Sequence, residues 1–175
     1  MFRYVILALI ILFVLPTSAF ANTTYTFSGQ MCQPDYNDEV AWEYSSNGSL
    51  NNSSTNSYDI TGWCPVGGIE STTVNLENAY VYYLDQQSEA EISCTMYVRN
   101  STGTIYQSSS LGSGVANTGY GTITFTGAAL PNAGGSISNV RTYAFYCTIP
   151  SRNRLDGSNE SNSYLRGYAV EQVSP

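Results

Sequence analysis

Histidine and lysine are both missing from this chain, and the two absences remove most enzyme chemistry before any motif is sought. Ser-His-Asp and Cys-His catalysis need an imidazole, and Ser-Lys catalysis needs an amine. Imidazole-ligated metal centres are excluded with them. Gly112-Ser113-Gly114 has no base to serve and reads as a flexible loop. Carboxylates remain. Asp35, Asp38, Glu39 and Glu43 form one cluster, and Asp85, Glu89 and Glu91 another. Glycoside hydrolysis needs only two acids several ångströms apart, so these are the places to look for it. Both clusters lie in or beside polar loops, where acids are ordinarily solvated, and the expectation is a chain with no catalytic residues and no cofactor.

Asp35, Asn37 and Glu39 offer oxygen ligands at alternating positions, as calcium prefers. They are weak candidates. In an EF-hand loop opened by Asp35, Val40 would occupy the glycine position and Ser46 the place of the closing bidentate glutamate. Asp156, Asn159 and Glu160 form a second weak set. The expected metal complement is therefore none. Aromatic side chains carry the other functional reading, since exposed rings stack on sugars and mark protein interfaces. Fifteen tyrosines and two tryptophans are present. Tyr80, Tyr82, Tyr83 and Tyr97, with Trp42 and Trp63, form the candidate ligand surface, against the alternative that they pack within the sheet.

The elements that would position these residues are strands. In Val140–Pro150, Tyr143, Phe145, Cys147 and Ile149 share one face, with Ala144, Tyr146 and Thr148 on the other. In Ala90–Arg99, Ile92, Cys94, Met96 and Val98 alternate with Ser93, Thr95 and Tyr97. Thr72–Gln86 is apolar or aromatic on both faces, and Gly119–Thr126 places Ile123 and Phe125 inward against outward threonines. Ser45–Ser57 is almost entirely Ser, Asn and Thr around an Asn47-Gly48 hairpin-turn signal and Leu50, and the rest of it reads as a solvated loop or irregular edge segment. Frequent turn signals and no sustained helical period predict an all-β fold, a single antiparallel β-sandwich of jelly-roll or Ig-like type. Three connectivities are open to the four cysteines; Cys94 and Cys147 each sit mid-strand on an apolar face, which makes their bond the first choice and leaves Cys32 with Cys64. A four-cysteine zinc site would want a close CxxC pair, and there is none.

The first residues, MFRYVILALIILFVLPTSAFA, have an early arginine, an apolar run and an Ala19-Phe20-Ala21 cleavage signature. The run is about 12 residues, short of the roughly 20 that a spanning helix needs. Residues 1–21 are thus expected to be a signal peptide, with 22–175 as one secreted domain, periplasmic or extracellular. Thirteen acidic residues against six basic ones leave a net charge of −7. That argues against nucleic acid and anionic membrane as partners, because both reward clustered Lys and Arg. A glycan or another protein remains.

The early Cys32, Trp63-Cys64-Pro65-Val66, Cys94-Thr95-Met96-Tyr97, Cys147-Thr148-Ile149-Pro150 and Gly167-Tyr168-Ala169-Val170-Glu171 carry a family resemblance. Together they resemble small secreted bacterial four-cysteine β-sandwich proteins, across nearly the whole of 22–175. The resemblance implies a sandwich and disulfides and brings no activity with it. The leading functional expectation is a non-catalytic structural or recognition protein outside the cell. A carbohydrate-binding module with an aromatic platform is the alternative, and a carboxylate-based glycoside hydrolase comes third.

Overall fold

One face of Ser93–Val98 and one face of Tyr143–Ile149 must leave water, and burying both faces organises the molecule. The structure, a computed structural model, describes residues 22–35, 41–53, 58–67, 71–88, 90–108, 110–115, 118–130, 137–151 and 162–173. The leader expected at 1–21 lies outside them, as do Asn37, Asp38, Glu39, Glu89 and the set Asp156, Asn159 and Glu160.

Twelve strands follow in order: β1 (Asn22–Ser28), β2 (Gln33–Pro34), β3 (Trp42–Tyr44), β4 (Leu50–Asn52), β5 (Ile60–Val66), β6 (Ser71–Asp85), β7 (Ser93–Asn100), β8 (Ile105–Gln107), β9 (Leu111–Gly112), β10 (Gly119–Thr126), β11 (Ile137–Ile149) and β12 (Tyr164–Val173). All pairings are antiparallel. In the first sheet β12 lies between β6 and the pair β1 and β4, with β10 beyond β6 and β3 beyond β4. In the second, β11 lies between β5 and β7, with β2 beyond β5 and β8 and β9 beyond β7. Along the chain β4, β6, β10 and β12 fall in the first sheet, and β5, β7, β8, β9 and β11 in the second. This repeated crossing is a jelly-roll order, one of the two sandwich types expected. The sheets join at one corner, where β11 begins by pairing with β6 at Ile137 opposite Val74.

The predicted inward faces are buried as expected. Ile92, Cys94, Met96 and Val98 face Tyr143, Phe145, Cys147 and Ile149, and all are closed to water. Phe145 reaches across to the first sheet, 5.8 Å from Phe125 and 5.5 Å from Tyr168 between ring centroids. Tyr168 stacks on Phe27 and donates its hydroxyl to the Pro65 carbonyl at 2.6 Å. Strand β6, ambiguous from its sequence, turns Ala79, Val81 and Tyr83 inward and leaves Tyr80, Tyr82 and Leu84 half-buried on the outside.

Both disulfides pair as expected, Cys94 with Cys147 and Cys32 with Cys64. Cys147 is the register partner of Cys94, so that bond ties adjacent strands of one sheet, with its Cα atoms 4.1 Å apart. Cys32 precedes the Gln33–Trp63 pair and comes to 4.0 Å from Cys64 between Cα atoms. Sequence separations of 32 and 53 residues each remove about 4 kcal/mol of freedom from the unfolded chain by loop closure. Two disulfides suit an oxidising, extracytoplasmic compartment.

One strand lies where a loop was expected. Strand β4 sits inside the Ser45–Ser57 stretch with Leu50, Asn51 and Asn52 all buried. Asn52 survives burial because its Nδ2 donates to the carbonyls of Ile149 and Tyr58, each at 3.2 Å. The Asn47-Gly48 turn is present, closed by Gly48 N–H donating to the Ser45 carbonyl at 3.1 Å, with Gly48 at φ +85°. Asn47 and Gly48 are thus its last two positions rather than its two central ones.

Two outcomes follow for stability. Replacing Cys94 and Cys147 together by alanine should cost about 2–5 kcal/mol, read as a lowered urea midpoint in oxidising buffer. Burial pushes the phenols of Tyr143 and Tyr168 far above the ordinary tyrosine range. Above about pH 10 the unfolded chain ionises its tyrosines while these two stay neutral, so stability falls as pH rises. Urea midpoints measured between about pH 9 and pH 12 should show that decline, and Tyr143→Phe should flatten it.

Candidate functional site

The outer face of the first sheet is built from the residues left over when its inner face is buried. Tyr168 and Val170 point inward on β12, so Gly167 and Ala169 take the opposite side of the strand, where neighbouring side chains cover them. Across β12 the register rows run Ser28–Gly167–Tyr82–Thr122 and Thr26–Ala169–Tyr80–Thr124. A glycine and an alanine in the middle leave a trough between the β1 hydroxyls and the β6 tyrosines. The glycine is required, since a Cβ on Gly167 would meet the Phe27 carbonyl oxygen at 2.5 Å.

Tyr80 and Tyr82 stand two apart on β6, which places their rings on one face at the strand's own repeat. Their centroids are 6.3 Å apart and their planes differ by 12°. Tyr80 is fixed at its tip, where its hydroxyl donates to Glu171 Oε2 at 2.9 Å. Asn78 Nδ2 donates to the same oxygen at 2.8 Å, and Asn22 Nδ2 to Oε1 at 3.2 Å. The bonds from Asn78 and then Tyr80 hold the Glu171 carboxyl below its usual range. Desolvation first, and then Glu171, push the Tyr80 phenol up.

Beside Tyr82 the trough opens into a groove of about 690 Å³. Thr26, Ser28, Asn47, Ser49, Tyr82, Tyr120, Thr122 and Arg166 line it. Tyr120 is 73% exposed, and the Arg166 guanidinium lies over its ring, 4.9 Å from the centroid. Arg166 owes its direction to a β-bulge. The β12–β6 register shifts between Leu165 and Gly167, which inserts one extra residue and turns it to the outside. Among the described residues lining the groove there is no carboxylate.

The structure separates the residues of the candidate surface. Tyr80 and Tyr82 face out together, but Tyr83 is their neighbour in the chain and must point the opposite way. It is buried inside the sandwich, its ring over Gly121, although it also borders the groove. Tyr97 does not join them, because the chain changes sheet between β6 and β7. It lies on the outer face of the second sheet with Trp63, 5.1 Å between centroids, and Trp63 lies 4.8 Å from Tyr146. These three rings meet at 54–56°, each covering part of the next, and Tyr146 donates its hydroxyl to Asp35 Oδ2 at 3.1 Å. Trp42 is not a surface ring either, since it packs into the space over Gly62.

The acids take structural positions. Asp85 is fully buried and accepts from Ser163 Oγ at 2.8 Å, Gln87 N at 3.1 Å, Ile92 N at 3.3 Å and the Ser113 hydroxyl. Ser113 is thereby a fixed anchor where a flexible loop was expected. Glu91 accepts from Gly114 N at 3.1 Å, and Glu43 from Asn51 Nδ2 at 3.4 Å. Of the calcium set, Asp35 alone is described, bonded to Tyr146. Among the described residues no three acidic, cysteine or histidine side chains converge as a metal site.

Tyr120, Arg166, Thr26, Ser28, Asn47 and Thr122 were not singled out by sequence. Tyr120 was within reach, because it shares parity with the outward-reading Thr122, Thr124 and Thr126. Arg166 was not, because its bulge breaks the parity of its strand.

No family profile and no curated protein matches the sequence. Among solved structures the chain is similar to the xylan-binding domain CBM22-1 of Paenibacillus barcinonensis Xyn10C, with a TM-score of 0.45 and 9% identity over 90% of this chain and 99% of that one. It is also similar to the α-L-arabinofuranosidase MgGH51, with a TM-score of 0.39 and 16% identity over 82% of this chain and 25% of that one. A third likeness is to a chain of infectious bursal disease virus, Gx strain, with a TM-score of 0.42 and 10% identity over 87% of this chain and 32% of that one. None of the three reaches a TM-score of 0.5, and what the groove holds is read from its own residues.

If the Tyr80 bond keeps the Glu171 carboxylate ionised, Tyr80→Phe should raise the Glu171 pKa toward the ordinary carboxylate value. A ¹³C carboxylate NMR titration reads this directly. Because the folded pKa is depressed, the stabilisation from this group is present above the unfolded pKa and lost as pH falls through the folded one.

Proposed function

We propose that this protein is a secreted, non-catalytic glycan-binding sandwich that seats a saccharide in the groove between β1 and β10. The observation that carries this reading is the groove's composition. Two tyrosine rings, Tyr82 and Tyr120, stand beside a rim of hydroxyl and amide groups from Thr26, Ser28, Asn47, Ser49 and Thr122. A pyranose has the matching surface, with apolar C–H faces for the rings and hydroxyls around its edge for the rim. The described lining offers no pair of acids for hydrolysis, which favours binding over cleavage. The leader sequence and the two disulfides support a place outside the cytoplasm, in keeping with the resemblance to small secreted bacterial proteins.

The second aromatic cluster is the natural control. Trp63 lies on the opposite sheet, outside the groove, with Tyr97 and Tyr146 against it. In affinity electrophoresis through gels holding a panel of soluble polysaccharides, at least one polymer should retard the protein. Tyr82→Ala and Tyr120→Ala should each weaken that retardation about tenfold, a loss near 1.4 kcal/mol. Trp63→Ala should leave it unchanged while lowering stability by about 1–2 kcal/mol. Equal retardation of the two tyrosine variants and the parent protein would refute the groove as the site.

A further inference from the structure

We propose that the saccharide held in the groove is a carboxylated one, a uronide, and that Arg166 reads its carboxylate; the inference rests on the glycan reading above and narrows it to a ligand class. The first ground is the charge of the site. The chain as a whole is acidic, with 13 Asp and Glu against six basic residues, yet the described groove lining contains one cation and no acid. A surface that repels anions almost everywhere is complementary to one here.

The second ground is how the cation is held. The β-bulge at Leu165–Gly167 turns Arg166 to the outer face, and the guanidinium lies 4.9 Å from the Tyr120 ring centroid. A contact with the ring through the cation's charge leaves guanidinium N–H donors for a partner. Among the described residues no carboxylate of the protein pairs with it, and its place in the groove wall puts it within reach of a ligand. The fork of N–H donors matches a planar carboxylate, two bonds to two oxygens.

The third ground is the distance over which the site is polar in a sugar-like way. Thr26, Ser28 and Asn47 line the same groove as Arg166, so a saccharide held by its carboxylate on Arg166 has polar groups beside it for its remaining hydroxyls. Tyr120 then has two parts, stacking on the saccharide and positioning the guanidinium.

The test uses oligouronides of the galacturonate, glucuronate and mannuronate types. Each is paired with its own methyl ester, which keeps the ring and hydroxyls and removes the charge. Neutral xylo- and gluco-oligosaccharides and a sulfated oligosaccharide complete the set, all titrated into the full secreted chain by calorimetry. At least one oligouronide should bind, its methyl ester at least tenfold more weakly, and added salt should weaken the acid more than the ester. Arg166→Gln should bring the acid down to the level of the ester, and Arg166→Lys should recover only part of the difference, since an ammonium cannot fork. Acid and ester binding equally, or a preference unchanged in Arg166→Gln, would overturn the carboxylate assignment while leaving glycan binding intact. Binding of the sulfated oligosaccharide in preference to every uronide would overturn it in favour of a tetrahedral anion. No binding of any saccharide, charged or neutral, would overturn both readings. The ester comparison is made on the unaltered protein, so it decides the matter even if an Arg166 variant folds poorly.

Discussion

Phe145 is the contact on which the two sheets depend. It stands on the central strand of one sheet and meets Phe125 and Tyr168 of the other at 5.8 and 5.5 Å between centroids. Large rings touching across the interface set which residues of each strand face inward, and alternation then decides everything that faces out. With Tyr168 and Val170 committed to the core, β12 turns the small residues Gly167 and Ala169 to its other side, between β1 and the β6 tyrosines, and the bulge adds Arg166 there. The groove is therefore a consequence of the core's parity. Its walls are the residues that packing did not use.

That dependence explains what could be read from sequence and what could not. Strands β7 and β11 declare themselves because each alternates cleanly, and Cys94 and Cys147 fall on their apolar faces, which is enough to pair them. Strand β4 does not, because Leu50-Asn51-Asn52 is mostly polar and its burial depends on partners far away in sequence, as with Asn52 donating to Ile149. No local pattern encodes a hydrogen bond across 97 residues. On β6 both faces carry aromatic residues, so its sequence allowed either side to be the core, and only the packing of Val81 and Tyr83 decides it.

The site was legible in part for the same reason. Tyr80 and Tyr82 belong to the surface read from sequence, and their spacing of two keeps them on one face. Grouping Tyr83 with them set aside alternation, and grouping Tyr97 with them assumed that consecutive strands share a sheet. A jelly-roll order defeats that assumption, because β6 and β7 belong to opposite sheets. Arg166 is the sharper case. A bulge changes a residue's facing without changing its type, and nothing in YLRGYAVEQV announces where the register slips.

The two outward aromatic groups differ in what their rings have left to offer. On the second sheet Trp63, Tyr97 and Tyr146 cover one another at steep angles, and Tyr146 is tied to Asp35, so much of their surface is already used within the protein. On the first sheet Tyr80 and Tyr82 lie nearly parallel, with Tyr80 held at its tip by Glu171, and Tyr120 stands 73% exposed beneath a guanidinium. Rings fixed in orientation before a ligand arrives have little rotamer freedom left to lose on binding. A groove whose polar contacts come from backbone-anchored side chains such as Ser28, bonded to the Gly48 carbonyl at 2.7 Å, has the same advantage. Aromatic content alone would have ranked the tryptophan cluster first. The open ring of Tyr120 beside a polar-lined groove ranks the tyrosine site above it.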